Sequence, residues 1–171
     1  MTPVPVRYVT GDATSPDAWG PVVIAHVCND AGAWGAGFVT AVSRRWPQPE
    51  HDYRAWYRKR DRNNFALGAV RFVPVRNGLW VANMVGQHGT LSPVNLAPVR
   101  YSALGQCLHK LGDWALGHEA SVHAPRIGCG LAGGSWDRIG PLIDVHLSQR
   151  GVPVTVYDLP GHQENHRSES V

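Results

Sequence analysis

Residues 125–136 read PRIGCGLAGGSW, and this stretch decides how the rest of the chain is interpreted. It contains four glycines, at Gly128, Gly130, Gly133 and Gly134. A short apolar run (120–124) precedes it and an amphipathic stretch (137–149) follows, which indicates a strand, a loop and a helix in succession. Backbone N–H groups in such a loop favour an anion together with the dipole of the following helix, so we expect a phosphate or diphosphate. The alternative is a tight connection without a ligand.

A second loop of similar composition lies nearer the N-terminus. Residues 22–28 (VVIAHVC) form an almost continuous apolar run, which is typical of a strand covered on both faces. The loop 29–37 (NDAGAWGAG) follows it and leads into residues 38–46, which have helical spacing. Two glycine-rich loops of this kind, each between a strand and a helix, favour a shared anion-binding cleft over two unrelated turns.

The remaining pattern alternates strands with helices, which predicts an α/β sandwich with a mixed, mainly parallel sheet. Ligands in such sheets bind beyond the carboxyl ends of the strands. The loop 86–98 leaves one of these ends and is either functional or a surface insertion. The predicted strands are 4–10, 22–28, 69–74, 79–85, 121–125 and 152–159, with an Asn77-Gly78 hairpin, and the predicted helices are 38–46, 49–60, 99–116 and 137–149.

Composition limits the class of protein. The chain has 171 residues, of which 43% are hydrophobic and 17% charged, and this predicts one globular domain with a sizeable core. Its three cysteines lack CxxC spacing, so we expect no disulfide framework or zinc site. No other metal ligand set is apparent, and we expect no cofactor. No membrane span or signal segment is predicted, and a cytoplasmic location is expected. Residues 160–171 are predicted to form a polar tail.

The net charge of +3 is mildly basic, which fits an anionic ligand but makes nucleic acid an unlikely partner. The basic cluster at residues 54–62 (RAWYRKRDR) is interpreted first as a solvated helix end and second as a polyanion-binding patch.

Taken together, these motifs resemble the macrodomain family, whose members bind ADP-ribose. The resemblance covers residues 4–159 and implies a three-layer α/β/α fold with a six-stranded sheet. Within the family, the motifs are most similar to the branch that contains the terminal ADP-ribose protein glycohydrolase. ADP-ribose 1″-phosphate phosphatases are among the wider relatives of that branch. It depends on five points of the sequence: Gly11-Asp12, the loop ending at Gly37, Asn83-Met84, residues 98–101 (PVRY), and residues 126–131 (RIGCGL) with Trp136.

The resemblance implies binding roles along the cleft. Asp12, flanked by Gly11 and Ala13, would accept a hydrogen bond from the adenine amino group, although a turn residue or helix cap is the alternative. The first glycine-rich loop would hold one phosphate, and the second would hold the other phosphate and the distal ribose. Cys129 is interpreted as a small apolar residue rather than a nucleophile. The further ligand-binding residues that we predict are Trp34, Gly35, Ala36, Gly37, Asn83, Met84, Gly128, Gly130, Leu131 and Ala132.

Catalysis is where the chain departs from the family. The glycohydrolase of this branch uses a lysine at the end of a middle strand and an aspartate after the GCGL motif. Met84 and Ala132 stand at those positions here, so a lysyl adduct is not expected. Either the protein hydrolyses mono-ADP-ribose from acidic side chains through an activated water, or it binds ADP-ribose without chemistry. A phosphatase that acts on ADP-ribose 1″-phosphate is a further alternative. For the first alternative, the candidates that orient or activate the water are Asn29, Asp30, Gln87 and His88.

Overall fold

The computed structural model describes residues 2–160, and these form a six-stranded sheet with helices on both faces. The sheet order is β1-β6-β5-β2-β4-β3, in which only β3 and β4 pair antiparallel. The strands are β1 (Arg7–Thr10), β2 (Val22–Asn29), β3 (Val70–Arg76), β4 (Leu79–Gln87), β5 (Ser121–Ala124) and β6 (Val154–Asp158). The α-helices are α1 (Phe38–Arg45), α2 (Gln48–Arg58), α3 (Tyr101–His118) and α4 (Trp136–His146). This confirms the predicted three-layer α/β/α fold and its mainly parallel sheet.

The sheet separates two apolar cores, because successive side chains of a strand point to opposite faces. On one face, Val23 and Ala25 of β2 pack in a cluster with Leu104, Leu108 and other residues of α3 and α4. On the other face, Val22 and Ile24 belong to a cluster with residues of α1 and α2. Both faces of the central strands are covered, which explains why β2 is apolar almost without interruption.

Several boundaries differ from the prediction for reasons of pairing. Strand β1 begins at Arg7 rather than at residue 4, and β4 continues to Gln87 rather than ending at residue 85. Helix α3 begins at Tyr101 because Val99 is held outside it. Val99 pairs with Gln87 in an isolated bridge and donates its backbone N–H to the carbonyl of Ala132. Residues 161–171 of the predicted tail lie outside the described residues.

The basic cluster lies at the end of α2. Arg54 pairs with Glu50 at 2.9 Å, and the Arg60 guanidinium lies 4.0 Å from the centre of the Tyr57 ring. Arg58 and Arg62 are exposed. Within residues 2–160, no helix is both long enough and apolar enough to cross a bilayer.

Candidate functional site

The loops that follow β1, β2, β4 and β5 leave the sheet at its carboxyl edge. In a parallel sheet these connections gather above the strand ends, where ligands bind. Strands β2 and β5 are hydrogen-bonded neighbours, and β4 lies on the other side of β2. The two glycine-rich loops and the loop 88–100 are therefore brought together, as the sequence predicts.

The loop after β2 is shaped by Asn29. The Asn29 side-chain oxygen accepts hydrogen bonds from the backbone N–H groups of Ala31 (2.9 Å) and Ala33 (3.1 Å), and its NH2 group donates to the Ala33 carbonyl at 2.8 Å. The buried Tyr53 hydroxyl donates to the same side-chain oxygen at 2.9 Å. All of these bonds hold the bend of the loop, so the amide of Asn29 is engaged within the protein.

The end of this loop has the features of an anion site. Gly35, Ala36 and Gly37 are exposed, and their backbone N–H groups have no hydrogen-bond partner within residues 2–160. Gly37 has a φ of 84°, which favours glycine, and it directly precedes the first residue of α1. Unpaired N–H groups at a helix N-terminus suit a phosphate.

The loop after β5 folds back on itself. The N–H of Gly134 donates to the Gly128 carbonyl at 2.7 Å, and a Cβ on Gly133 would lie 2.6 Å from the carbonyl oxygen of Leu96. The glycines are therefore needed partly for close packing. At the centre of the loop, the N–H groups of Gly130, Leu131 and Ala132 make no hydrogen bond in the described part of the chain. The same loop thus combines a structural need for glycine with unpaired donors.

The two glycine-rich loops face each other across a narrow gap. A Cβ on Gly37 would lie 3.4 Å from Cδ1 of Leu131, whereas Gly35 and Gly130 both face open space. Burial raises the pKa of the Cys129 thiol, and the nearby Arg126 charge offsets this only in part. This thiol therefore remains protonated near neutral pH, consistent with an apolar role. Ala132 is 6% exposed, and its methyl group packs in the core.

Asp30 and His88 form a hydrogen-bonded pair at the ends of β2 and β4. One carboxylate oxygen of Asp30 lies 2.7 Å from Nδ1 of His88, and the other accepts the backbone N–H of Gly89 at 2.8 Å. The His88 side chain is 60% exposed, whereas that of Asp30 is 21% exposed. Beside them, the Gln87 side-chain NH2 donates to the Gly89 carbonyl at 3.1 Å. A carboxylate bound to Nδ1–H leaves Nε2 as the proton acceptor, which is the arrangement of a general base.

Asp12 lies at the other end of the carboxyl edge, beyond β1. Gly11 donates its N–H to the Asp158 carbonyl at 2.8 Å, and Ala13 is buried. The Asp12 carboxylate is 45% exposed; it accepts the Thr14 N–H at 2.8 Å and lies 3.4 Å from Arg45. Partial burial raises the pKa of Asp12, but hydrogen bonds from Thr14 and Arg45 outweigh it, so the pKa lies below its usual value. The carboxylate is thus ionised and open to a hydrogen-bond donor.

The structure corrects the prediction for three residues, because their side chains are in the core and not in the cleft. The indole of Trp34 is 6% exposed and donates to the Ser43 hydroxyl at 2.8 Å. Asn83 and Met84 are fully buried, and Asn83 binds His26 of β2 at 2.5 Å. The residue at the carboxyl end of β4 is Gln87, three positions beyond Met84.

An ion pair at the site involves two residues that the sequence analysis did not select. Arg126, the second residue of the loop after β5, forms a two-pronged ion pair with Asp158 at the end of β6, at 2.7 and 3.1 Å. Its guanidinium also lies 5.0 Å from the ring of Trp136 and 5.4 Å from that of Tyr8. The pair anchors the loop, and its only sequence signal is a charged residue at each of two adjacent strand ends.

No group of three or more potential metal ligands occurs within residues 2–160.

Comparisons with known proteins place this geometry in a family. No family model matches the chain. A solved macrodomain protein from Streptomyces coelicolor is 59% identical, with a TM-score of 0.81, over 90% of this chain and 99% of that one. Mouse chromodomain-helicase-DNA-binding protein 1-like is 33% identical over 94% of this chain, which spans 18% of that relative's length.

Two more distant relatives have names that state a ligand or a reaction. A Lodderomyces elongisporus protein named ADP-ribose 1″-phosphate phosphatase is 23% identical over 81% of this chain and 91% of its own length. Thermosipho africanus DarTG in complex with ADP-ribose is 18% identical, with a TM-score of 0.64 over 81% of this chain and 38% of that one, a likeness of fold. The bacterial relative, which this chain matches over nearly its full length, is decisive: the chain belongs to the macrodomain family.

Proposed function

We propose that the protein binds ADP-ribose in the cleft between its two glycine-rich loops and hydrolyses mono-ADP-ribose from glutamate and aspartate side chains. Membership of the macrodomain family and the ADP-ribose complex of a protein with this fold support the ligand. The unpaired N–H groups of Gly35–Gly37 and Gly130–Ala132 suit its two phosphates, one on each loop. Asp12 follows β1 at the other end of the carboxyl edge of the sheet, and its carboxylate suits the adenine amino group.

The observation that carries the hydrolytic part is the hydrogen bond between Asp30 and His88. Asp30 fixes the tautomer in which Nδ1 of His88 carries the proton, so Nε2 can accept a proton from water. The His88 side chain is 60% exposed, which gives a water room beside the ring. The pair therefore supplies an activated water without the lysine and aspartate of the glycohydrolase branch.

In the proposed reaction, this water attacks the anomeric carbon of the distal ribose. The new C–O bond forms as the bond to the ester oxygen of the modified residue breaks, and that residue leaves as a carboxylate. His88 takes the proton of the water, so the products are ADP-ribose, a carboxylate and a proton. The leaving carboxylate needs no general acid because it is a weak base at neutral pH. The loop N–H groups bind the diphosphate next to the reacting carbon and hold it in position.

The test is release of ADP-ribose from a protein that carries it on glutamate. We expect release by the wild type, a loss of about 10²–10⁴-fold in His88→Ala, and a loss in Asp30→Asn, which keeps the shape but not the charge. Calorimetry should show ADP-ribose binding within a few-fold of wild type in both variants. His51→Ala is a matched control, because His51 is an exposed histidine far along the chain from the pair.

Three results would reject parts of this proposal. Binding without release by the wild type would make the protein a reader of ADP-ribose. Unchanged release in both the Asp30 and the His88 variants would show that the pair does not act in catalysis, and Gln87 would then be the next candidate. No ADP-ribose binding at all would reject the ligand itself.

The phosphatase name of the Lodderomyces relative favours ADP-ribose 1″-phosphate as a second substrate. Its phosphate is attached to the same distal ribose carbon, so a water beside His88 would attack phosphorus instead of carbon. Release of inorganic phosphate from ADP-ribose 1″-phosphate, measured with the same variants, distinguishes this activity. Loss in His88→Ala would indicate one set of groups for both reactions.

A further inference from the structure

A separate cavity of about 340 Å³ lies beside the C-terminal end of α1. Helix α1 begins next to the first glycine-rich loop and rises about 1.5 Å per residue, so its far end is roughly 10 Å from that loop. The residues that line the cavity come from the loop after β1, from the end of α1 and from the end of β3. Those that matter here are Thr14, Ser15, Arg44, Arg45, Trp46 and Arg76.

Three arginines therefore line the same cavity, and one of them is paired with a carboxylate. Arg45 donates to the Thr14 hydroxyl at 2.8 Å and lies 3.4 Å from Asp12. The side chains of Arg44 and Arg76 are exposed and have no hydrogen bond or ion pair within residues 2–160. The dipole of α1 favours basic residues in its last turn, which accounts for Arg44 and Arg45. It does not account for Arg76, which comes from β3.

We infer that this cavity binds the phosphate group of a phosphorylated ligand of about nucleotide size. Guanidinium groups bind phosphate oxygens in pairs of parallel hydrogen bonds, and three arginines line this one concave surface. The volume is at the lower end of the roughly 300–1,000 Å³ of small-molecule sites and is larger than a lone phosphate needs. The partly buried Trp46 adds an aromatic surface for a base or sugar, and the Ser15 hydroxyl adds a donor.

Arg45 connects this cavity to the predicted adenine site. It is shared between Asp12, Thr14 and the cavity, and Thr14 in turn donates its N–H to Asp12. An anion that attracts Arg45 changes the hydrogen bonds around Asp12. The backbone N–H of Thr14 therefore reports on the occupancy of the cavity.

The experiment is an NMR titration of the ¹⁵N-labelled protein with inorganic phosphate and, separately, with uridine monophosphate. Each titration is run at constant ionic strength, once with excess ADP-ribose so that the loop cleft is filled and once without ADP-ribose. We expect saturable shifts of the Trp46 indole N–H and of the Thr14 and Ser15 amides, with uridine monophosphate binding more tightly than phosphate. The double variant Arg44→Gln/Arg76→Gln should bind about tenfold more weakly or worse, since it loses charged hydrogen bonds.

The matched control is Arg58→Gln/Arg62→Gln, which removes the same charge from exposed arginines on α2 and after it. Its affinity for uridine monophosphate should equal that of the wild type. The inference is overturned if no shift saturates, if the control loses as much affinity as the cavity variant, or if the shifts appear only when ADP-ribose is left out. Equal affinity for phosphate and uridine monophosphate would overturn the assignment of a nucleotide-sized ligand. Backbone spectra of each variant verify the fold independently.

Discussion

Asp12 is the residue whose predicted role can be separated most cleanly from its role in the fold. Its carboxylate closes a turn with Thr14, and it is ionised because its pKa is lowered by those hydrogen bonds and by Arg45 in spite of partial burial. The Asp12 side chain can therefore hold the turn and bind the adenine amino group at the same time, since a carboxylate accepts several hydrogen bonds.

The test uses a ligand that lacks the adenine amino group. Wild-type protein should bind ADP-ribose about 10-fold or more tightly than the hypoxanthine analogue, because a hydrogen bond to a charged group is worth about 1.5–3 kcal/mol. Asp12→Ala should bind both ligands equally. Calorimetry measures the four affinities, and equal discrimination by wild type and variant would assign Asp12 to the turn alone.

The glycines of the loop after β5 differ in how much they contribute to packing. One alanine substitution at each of two positions tests this difference. Gly133 has a φ of 71°, and a Cβ there would lie 2.6 Å from the Leu96 carbonyl oxygen. Gly133→Ala should therefore lower the free energy of unfolding by about 1–3 kcal/mol through strain and a clash with backbone. Gly130 faces open space, so Gly130→Ala should stay within about 0.5 kcal/mol of wild type. Urea unfolding measures both, and equal values would refute the packing argument.

Among the elements, β2 and β4 carry both a buried polar pair inside the sheet and the proposed catalytic pair at their ends. Their register places His26 opposite Asn83 in the interior, while their ends carry Asp30 and His88. A polar pair within the sheet fixes how the strands align, since a shift by one residue would bury unpaired polar groups. The register of β2 against β4 in turn decides whether Asp30 reaches His88. The buried pair in the sheet therefore positions the exposed pair at the strand ends.

The buried histidines predict how stability depends on pH. Burial lowers the pKa of His26 to about 4, although its hydrogen bond to Asn83 acts in the other direction. Burial and the charge of Arg7 lower the pKa of His123 to about 4 as well. The unfolded chain protonates near pH 6.5, so between pH 6.5 and 4 the unfolded state binds more protons than the folded state. Their contribution is fully present above pH 6.5 and is lost as the pH falls towards 4, by up to about 3 kcal/mol per histidine.

Urea unfolding at several pH values measures this slope. His123→Gln should make the slope between pH 6.5 and 4 shallower, because one of the two buried titrations is removed. His51→Gln, at an exposed histidine, should leave the slope as in the wild type. A wild-type stability that does not change over this range, or a slope unaffected by His123→Gln, would contradict the burial of neutral histidine as its cause.

At the scale of the whole molecule, the sequence predicted the sheet and the two glycine-rich loops because these depend on local patterns. An apolar run such as β2 and a glycine-rich stretch are visible within about ten residues of chain. Contacts between distant segments were not visible. Asp30 and His88 are 58 residues apart, and Arg126 and Asp158 are 32 apart. Either contact can be predicted only when the order of the strands in the sheet is known.

The direction in which a side chain points and the residue at which a strand ends were also not predictable from the sequence. Loop 29–37 suggested that Trp34 faces the ligand, but its indole packs against His26 and Tyr53 in the core. A large apolar ring is stabilised by burial wherever the backbone allows it, and sequence does not specify that backbone. The end of β4 was predicted at residue 85, two residues before its end at Gln87. Since boundaries carry an uncertainty of about two to four residues, such a shift changes which residue meets the ligand.

The cleft itself depends on the whole fold, because one loop follows β2 and the other follows β5, almost a hundred residues later. A ligand that touches both loops should stabilise all of the described structure, and not one loop alone. At a concentration of about 100 times its Kd, ADP-ribose should add about 2.7 kcal/mol to the free energy of unfolding. For a domain of this size, that raises the Tm by roughly 5–10 °C. Adenosine monophosphate contains the adenine end and one phosphate, so at equal concentration it should raise the Tm less.

Gly37→Val tests the link between the loops. The φ of 84° at Gly37 disfavours any side chain, and a Cβ there approaches Leu131 of the opposite loop to 3.4 Å. The variant should lose most of the ADP-ribose-induced rise in Tm, measured against its own ligand-free value by differential scanning calorimetry. Its response to adenosine monophosphate should change less if the distal part of the ligand is the part that both loops hold. A full ADP-ribose shift in Gly37→Val would mean that the ligand lies elsewhere on the protein, since a branched side chain between the loops cannot leave a diphosphate bound there undisturbed.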